Sequence, residues 1–183
     1  MVRRRLNRCL RARNAISRRV SPRSDTTVAD GALYEDAPAK INLFLHVGSR
    51  ADSGYHPLES LVVFADFGDR LRLSHADGFA LERSGPFAHL LPKTSDDDLT
   101  ARAVAGVAEI YAREPDVAIA LEKNIPVAAG LGGGSADAAA AIRLVCRAWS
   151  VPHNSPEVCS LAARLGADVP MCLESAPAWV AGI

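Results

Sequence analysis

Four glycines within five residues, Gly130, Gly132, Gly133 and Gly134, stand directly ahead of an alanine run in KNIPVAAGLGGGSADAAAAIRLVCR, residues 123–147. Residues without a Cβ let the backbone take positive φ and let several N–H groups close on one anion. Behind them Ala138, Ala141, Ile142, Val145 and Trp149 recur at helical spacing, with Ser135 as the expected N-cap. The unpaired N–H groups and positive dipole end of that helix would point at the glycines. Pro126, Val127, Ala128, Ala129, Gly130, Leu131, Gly132, Gly133, Gly134, Ser135 and Ala136 therefore read as a phosphate-binding junction. A glycine turn capping a packing helix is the plainer meaning of a lone GxG. The junction is not a Walker A loop, since no Gly-Lys-Ser/Thr ends it, and Ser135 occupies the third glycine position of a dinucleotide fingerprint begun at Gly130. VAIK, HRD and DFG segments are absent, which excludes a protein kinase signature.

Two further residues are chemically costly where they stand. Ile41, Leu43, Leu45 and Val47 alternate with Lys40, Asn42, Phe44 and His46, the period of a half-buried strand, which puts Lys40 and Asn42 on one face. A lysine there is expensive to bury unless it is paired or faces an anion, and the alternative is that it snorkels from an edge strand. Asp168 follows Gly166 and precedes Pro170, on its own the setting of a turn aspartate. Tyr55 and His56, in GYHPLES, offer an aromatic face beside ring-edge donors and acceptors, or else simple turn packing.

The elements that must position these residues make an α+β pattern. Strands are expected at 58–64, 69–74 and 117–121, and a helix at 99–112 with its entrance at Thr94–Asp98. A last helix opens at Ser155 and Pro156 and is ended by Gly166. At 183 residues and 49% hydrophobic content the chain can bury one sizeable core. Its formal net charge is zero, but the first 23 residues hold nine arginines and no acid, so residues 24–183 carry a net charge of minus nine. Residues 1–36 read as a basic disordered extension, favoured over a plastid transit peptide or a nucleic-acid-binding arm because a self-repelling run buries too little surface to order itself. Residues 37–183 read as one domain. No stretch approaches the ~18 apolar residues of a membrane span. The four cysteines form no CxxC, so neither a zinc site nor a disulfide framework is expected and a reducing cytoplasm is the expected compartment.

PVAAGLGGGSADAA resembles the ATP-binding motif of the GHMP kinases, small-molecule kinases named for galactose, homoserine, mevalonate and phosphomevalonate. APAKINLFLHVGSRADSGYHPLES, residues 37–60, and LGADVP, residues 165–170, resemble signatures of one branch, the 4-diphosphocytidyl-2-C-methyl-D-erythritol kinases of the non-mevalonate isoprenoid pathway. The resemblance implies the N-terminal domain of a two-domain fold, similar to domain 2 of ribosomal protein S5, with the C-terminal domain largely missing. It implies ATP with Mg2+ and phosphoryl transfer to the 2-hydroxyl of a small-molecule substrate, with no membrane or nucleic-acid partner. Lys40 matches the family lysine beside the catalytic carboxylate, and Asp168 matches that carboxylate, the general base. Asn42 matches a substrate-contacting asparagine, Tyr55 and His56 match residues holding the cytidine, and Lys123 and Asn124 fall where the family lines its adenine pocket. Ala136 departs from the pattern, which commonly has a second serine there, and no protein ligand for the metal is implied. A homoserine- or mevalonate-type kinase remains an alternative, against which GYHPLES argues; an inactive S5-like fragment with a nucleic-acid-binding tail is another. Family members continue well past the position of Ile183, so little turnover is expected from these 183 residues alone.

Overall fold

Two long antiparallel strands, β1 (Leu33–Val47) and β2 (Leu58–His75), form the spine of the domain. The computed structural model describes residues 31–50, 54, 56–92, 94 and 97–182; Tyr55 and the basic extension over residues 1–30 lie outside these. On its other edge β2 pairs with β4 (Val117–Glu122) along residues 70–75 and with β5 (Ala178–Gly182) along residues 58–62. β3 (Ala80–Ser84) lies outside β4 and parallel to it. A parallel pair needs a crossover, and here the crossover carries α1 (Leu99–Tyr111), opened by Asp98, whose carboxylate accepts from the N–H groups of Thr100 and Ala101.

Leu71 and Leu73 of β2, with Val117, Ile119 and Leu121 of β4, alternate inward beneath α2 (Gly133–Ala148). α2 is buried on nearly every side, where the 3.6-residue pattern predicts one apolar face. Its alanines leave room for β1, β2, α1 and α4 (Val169–Glu174) to close around it. α3 (Pro156–Leu165) packs on α1, with Ser155 as its N-cap and Gly166 as its C-cap, as the sequence predicts.

A charged clamp fixes α2 to β1. The buried Glu35 carboxylate accepts from Arg143 Nε at 2.7 Å and from Arg147 Nη1 at 2.9 Å. Arg143 also donates to the carbonyls of Asp36 and Cys172. β1 therefore begins at Leu33, four residues ahead of the expected domain boundary at Ala37.

The strands expected at 58–64 and 69–74 are one strand. Lys40 pairs with Phe64 and Pro38 with Gly68, so β2 spends four residues against two of β1, and the polar interruption at Asp66 is an irregularity in place of a turn. A second irregularity falls at Leu43, because Asn42 faces Val62 and Phe44 faces Leu61. Lys40 and Asn42 share a face as expected, but the extra residue turns Phe44 and His46 to the other side, where Phe44 meets Trp179 of β5. The expected burial is also inverted: Ile41, Leu43, Leu45 and Val47 are exposed, while Asn42 and Phe44 are half-buried. β3, α4 and β5 are too short to carry a periodic signal. Among the described residues no helix is long and apolar enough to cross a membrane.

Candidate active site

The loop between β4 and α2 takes its shape from two glycines. Gly130 (φ 76°) and Gly132 (φ 67°) are left-handed, and Ala128 joins them at φ 60°. Gly133 and Gly134 already belong to α2, so the positive φ read for all four glycines holds for two. Gly132, with no side chain to cap the helix, is the N-cap; Ser135, expected there, sits in the first turn. First-turn N–H groups without a side-chain cap are what an anion requires. The residues from Pro126 to Ser135, with Leu91 and Leu99 as an apolar wall, bound a cleft of about 230 Å³.

β1 delivers Lys40 to this loop. Its backbone N–H donates to the Leu131 carbonyl at 2.8 Å, and a Cβ built on Gly132 would lie 3.2 Å from Lys40 Cε. The ammonium meets Asp168 Oδ2 at 3.0 Å and donates to Asn42 Oδ1 at 3.0 Å. Asn42 donates in turn to Ser60 Oγ at 2.6 Å, and Ser60 to the Phe44 carbonyl at 2.7 Å. That relay fixes the ammonium from below and uses the polar ends of Asn42 within the protein. Asp168 stands at the start of α4 yet makes no capping bond to it, and its side chain is 36% exposed against 10% for Lys40. The pair thus has one member held in the protein and the other open to a ligand. A Cβ on Gly166 would come 3.9 Å from Ser135 Oγ, so the turn ahead of Asp168 passes close to the first turn of α2.

Beneath the loop lies a buried charge triad. Lys123 Nζ pairs with Asp69 and, at 2.7 Å, with Asp137 Oδ2, and all three side chains are at most 2% exposed. Lys123 is among the residues bounding the cleft, but its ammonium is turned to these carboxylates. Asn124 contributes its backbone N–H, which donates to Asp69 Oδ1. Desolvation pushes the Asp137 carboxyl well above the usual carboxylate range, against the pull of Lys123. Burial, with the Asp168 charge adding to it, pushes the Cys172 thiol to about 12.

His56 lies at the opposite end of β1, with Nδ1 3.0 Å from the Gly48 carbonyl. A carbonyl only accepts, so Nδ1 is the donor of this bond and Nε2 faces away from it. Tyr55 falls outside the described residues. The structure joins Lys40, Asn42, Asp168 and the loop, whereas the described bond of His56 is to Gly48. Asp69, Asp137 and Ser60 escape the sequence reading. Asp69, between Gly68 and Arg70, and Asp137, two residues past Ser135, each read in the sequence as an ordinary charge.

Residues 98–175 match the family described as GHMP kinases N terminal domain. The fold is that of a GHMP kinase N-terminal domain. The chain is similar to the 4-diphosphocytidyl-2-C-methyl-D-erythritol kinase of Rhodospirillum rubrum, 46% identical over 155 residues, covering 85% of this chain and 51% of the relative. The protein of that name from Ruegeria pomeroyi is 50% identical over 152 residues, covering 83% and 52%. A crystal structure of 4-(cytidine 5'-diphospho)-2C-methyl-D-erythritol kinase superposes with a TM-score of 0.65 at 35% identity, covering 82% of this chain and 52% of that one. Homoserine kinase from Cytophaga hutchinsonii shares the fold, with a TM-score of 0.56 at 17% identity, over 87% and 45%. The chain spans about half the length of the curated relatives it matches.

Proposed function

We propose that the chain provides the nucleotide loop and the general base of an ATP-dependent kinase that phosphorylates the 2-hydroxyl of 4-diphosphocytidyl-2-C-methyl-D-erythritol, in the route to isoprenoid precursors. The observation that carries the reading is the Lys40–Asp168 pair, 3.0 Å apart and in contact with the glycine loop through Lys40. The substrate's identity rests on the names of the relatives that match at 46% and 50% identity.

In this reading the nucleotide phosphates lie on the N–H groups of Gly133, Gly134 and Ser135, at the positive end of α2. The cleft suits them because its floor is glycine backbone and its uncapped helix start carries free donors. Lys40 has two tasks. Its ammonium holds the Asp168 carboxylate by an ion pair of 3.0 Å, and as the substrate hydroxyl passes its proton to Asp168 Oδ2 the same ammonium stabilises the developing alkoxide. Asn42 and Ser60 hold that ammonium in place, which limits reorganisation during transfer. Phosphoryl transfer otherwise needs alignment and charge neutralisation more than covalent chemistry. Mg2+ supplied with ATP would neutralise phosphate charge. Ser135, which lines the cleft in the first turn of α2, is a candidate hydroxyl for the ion. Tyr55 and His56 would read the cytidine, His56 through its free Nε2.

The test is transfer of labelled γ-phosphate from ATP to a panel of 4-diphosphocytidyl-2-C-methyl-D-erythritol, homoserine and mevalonate. It uses a chimera that continues from residue 183 into the second half of the Rhodospirillum rubrum relative. Label in the first acceptor alone is the expected result; label in homoserine or mevalonate instead would overturn the substrate assignment.

A further inference from the structure

We propose that Asp69 is a positioning residue for nucleotide binding: through Lys123 and two backbone N–H groups it ties the chain entering the glycine loop to the helix that leaves it. This rests on the reading of the loop as a phosphate site. One oxygen of Asp69, Oδ1, accepts from two successive backbone N–H groups, Asn124 at 2.5 Å and Ile125 at 2.7 Å, immediately before Pro126 opens the loop. The other oxygen accepts from Lys123 Nζ, and that ammonium donates again to Asp137 Oδ2 at 2.7 Å, one turn into α2. Both ends of the loop are therefore anchored to one carboxylate and one ammonium that no solvent reaches.

The ammonium also touches the loop itself. A Cβ added to Gly133 would stand 2.8 Å from Lys123 Nζ and 3.2 Å from Ile125 Cγ2. Gly133 is helical, so its lack of a side chain is required by this close approach and not by its φ. α2 thus begins directly on top of Lys123, and any shift of Lys123 moves the N–H groups of Gly133, Gly134 and Ser135. A supporting shell of this kind is what holds ligand-facing donors to within a fraction of an ångström.

Charge and position make opposite forecasts for Asp69→Asn, which decides between them. The amide removes a negative charge from beneath a site for phosphates, so a purely electrostatic role predicts equal or tighter nucleotide binding. Its geometry is worse. If the amide oxygen keeps the Asn124 and Ile125 bonds, its NH₂ faces the Lys123 ammonium donor to donor; if it turns round, the backbone bonds are lost. Positioning therefore predicts weaker binding.

The experiment is calorimetric titration of the 183-residue chain with MgADP, alongside thermal unfolding of every variant. Glu35→Gln serves as the control, because it weakens a buried ion cluster at the far end of α2 and leaves the loop ties intact. Expected are a tenfold or greater loss of MgADP affinity in Asp69→Asn and wild-type affinity in Glu35→Gln. Wild-type or tighter affinity in Asp69→Asn overturns the proposal, as does an equal loss in the control, which would make the effect one of general stability. Should Asp69→Asn not fold, Asp137→Ala takes its place, since it removes the acceptor through which Lys123 holds the first turn of α2: several-fold weaker binding supports the proposal, and unchanged binding or failure to fold overturns it. A wild-type chain that binds no MgADP defeats the phosphate-site reading itself, whereas binding by the wild type with no loss in the variants defeats only the role of Asp69.

Discussion

Asp168→Asn should separate chemistry from stability more cleanly than any other change in the site. The carboxylate is 36% exposed, its ion pair with Lys40 is 3.0 Å long, and it makes no capping bond to α4. An ion pair this open to water contributes about 0–1 kcal/mol once screening is allowed for. For a domain of this size that is a fall in Tm of at most about 2–4 °C. The amide keeps the shape and the contact with Lys40 but cannot take up a hydroxyl proton. A general base is worth roughly a hundred- to ten-thousand-fold in rate, or about 2.7–5.4 kcal/mol of barrier. The assay is single-turnover phosphate transfer in the chimera, with MgADP affinity and Tm measured on the same preparations. Nucleotide affinity should stay within about twofold of wild type, because the proposed phosphate site uses backbone donors and not Asp168. A variant that keeps more than about a tenth of the single-turnover rate, where chemistry is observed directly, would show that Asp168 is not the base.

Gly132→Ala places a Cβ at φ 67° and 3.2 Å from Lys40 Cε; a loss of about 1–2 kcal/mol in urea unfolding, with weaker MgADP binding, is expected, and unchanged affinity would show that the left-handed turn is not needed by the ligand. Arg143→Met strips Glu35 of its better-buried partner and removes the Arg143 bonds to the carbonyls of Asp36 and Cys172, so a loss of about 3–5 kcal/mol is expected and one below about 1 kcal/mol would refute the clamp. Asp137 gives a pH dependence of stated sign: its folded pKa is raised above its unfolded value by desolvation, so its contribution to stability is fully present below the ordinary carboxylate range and is lost as pH rises through the raised folded value. Urea midpoints of the wild type should therefore fall across that window, and Asp137→Asn should flatten the fall; an identical pH profile in both would show that Asp137 ionises freely in the fold.

What is legible in the sequence is what local chemistry decides. Asp98 and Ser155 act as caps because a short oxygen-bearing side chain ahead of a helix has few other uses, and the glycine cluster marks a loop because left-handed backbone at Gly130 and Gly132 disfavours a Cβ. What is not legible depends on partners far along the chain. Period-two alternation says neither which face is covered nor where an extra residue interrupts it, so Ile41 to Val47 reads as a half-buried strand although Ile41, Leu43, Leu45 and Val47 are all exposed. The extra residue at Leu43 exists only in the pairing of β1 with β2, and nothing in β1 alone announces it. The Asp69–Lys123–Asp137 triad spans separations of 54 and 14 residues, and each member alone resembles an ordinary surface charge.

Lys40 shows how the two kinds of information combine. Its cost in a buried strand is visible from the residue type, and that cost demands an anionic neighbour without saying which one. The fold answers twice, with a permanent partner in Asp168 and a position against Gly132, where a phosphate group would come to rest. Because the Lys40 backbone N–H is bonded to Leu131, the strand and the loop cannot move independently. Under the proposed function, a nucleotide that orders the loop would thereby order the ammonium beside Asp168, and donor binding and activation of the proposed base would be coupled mechanically.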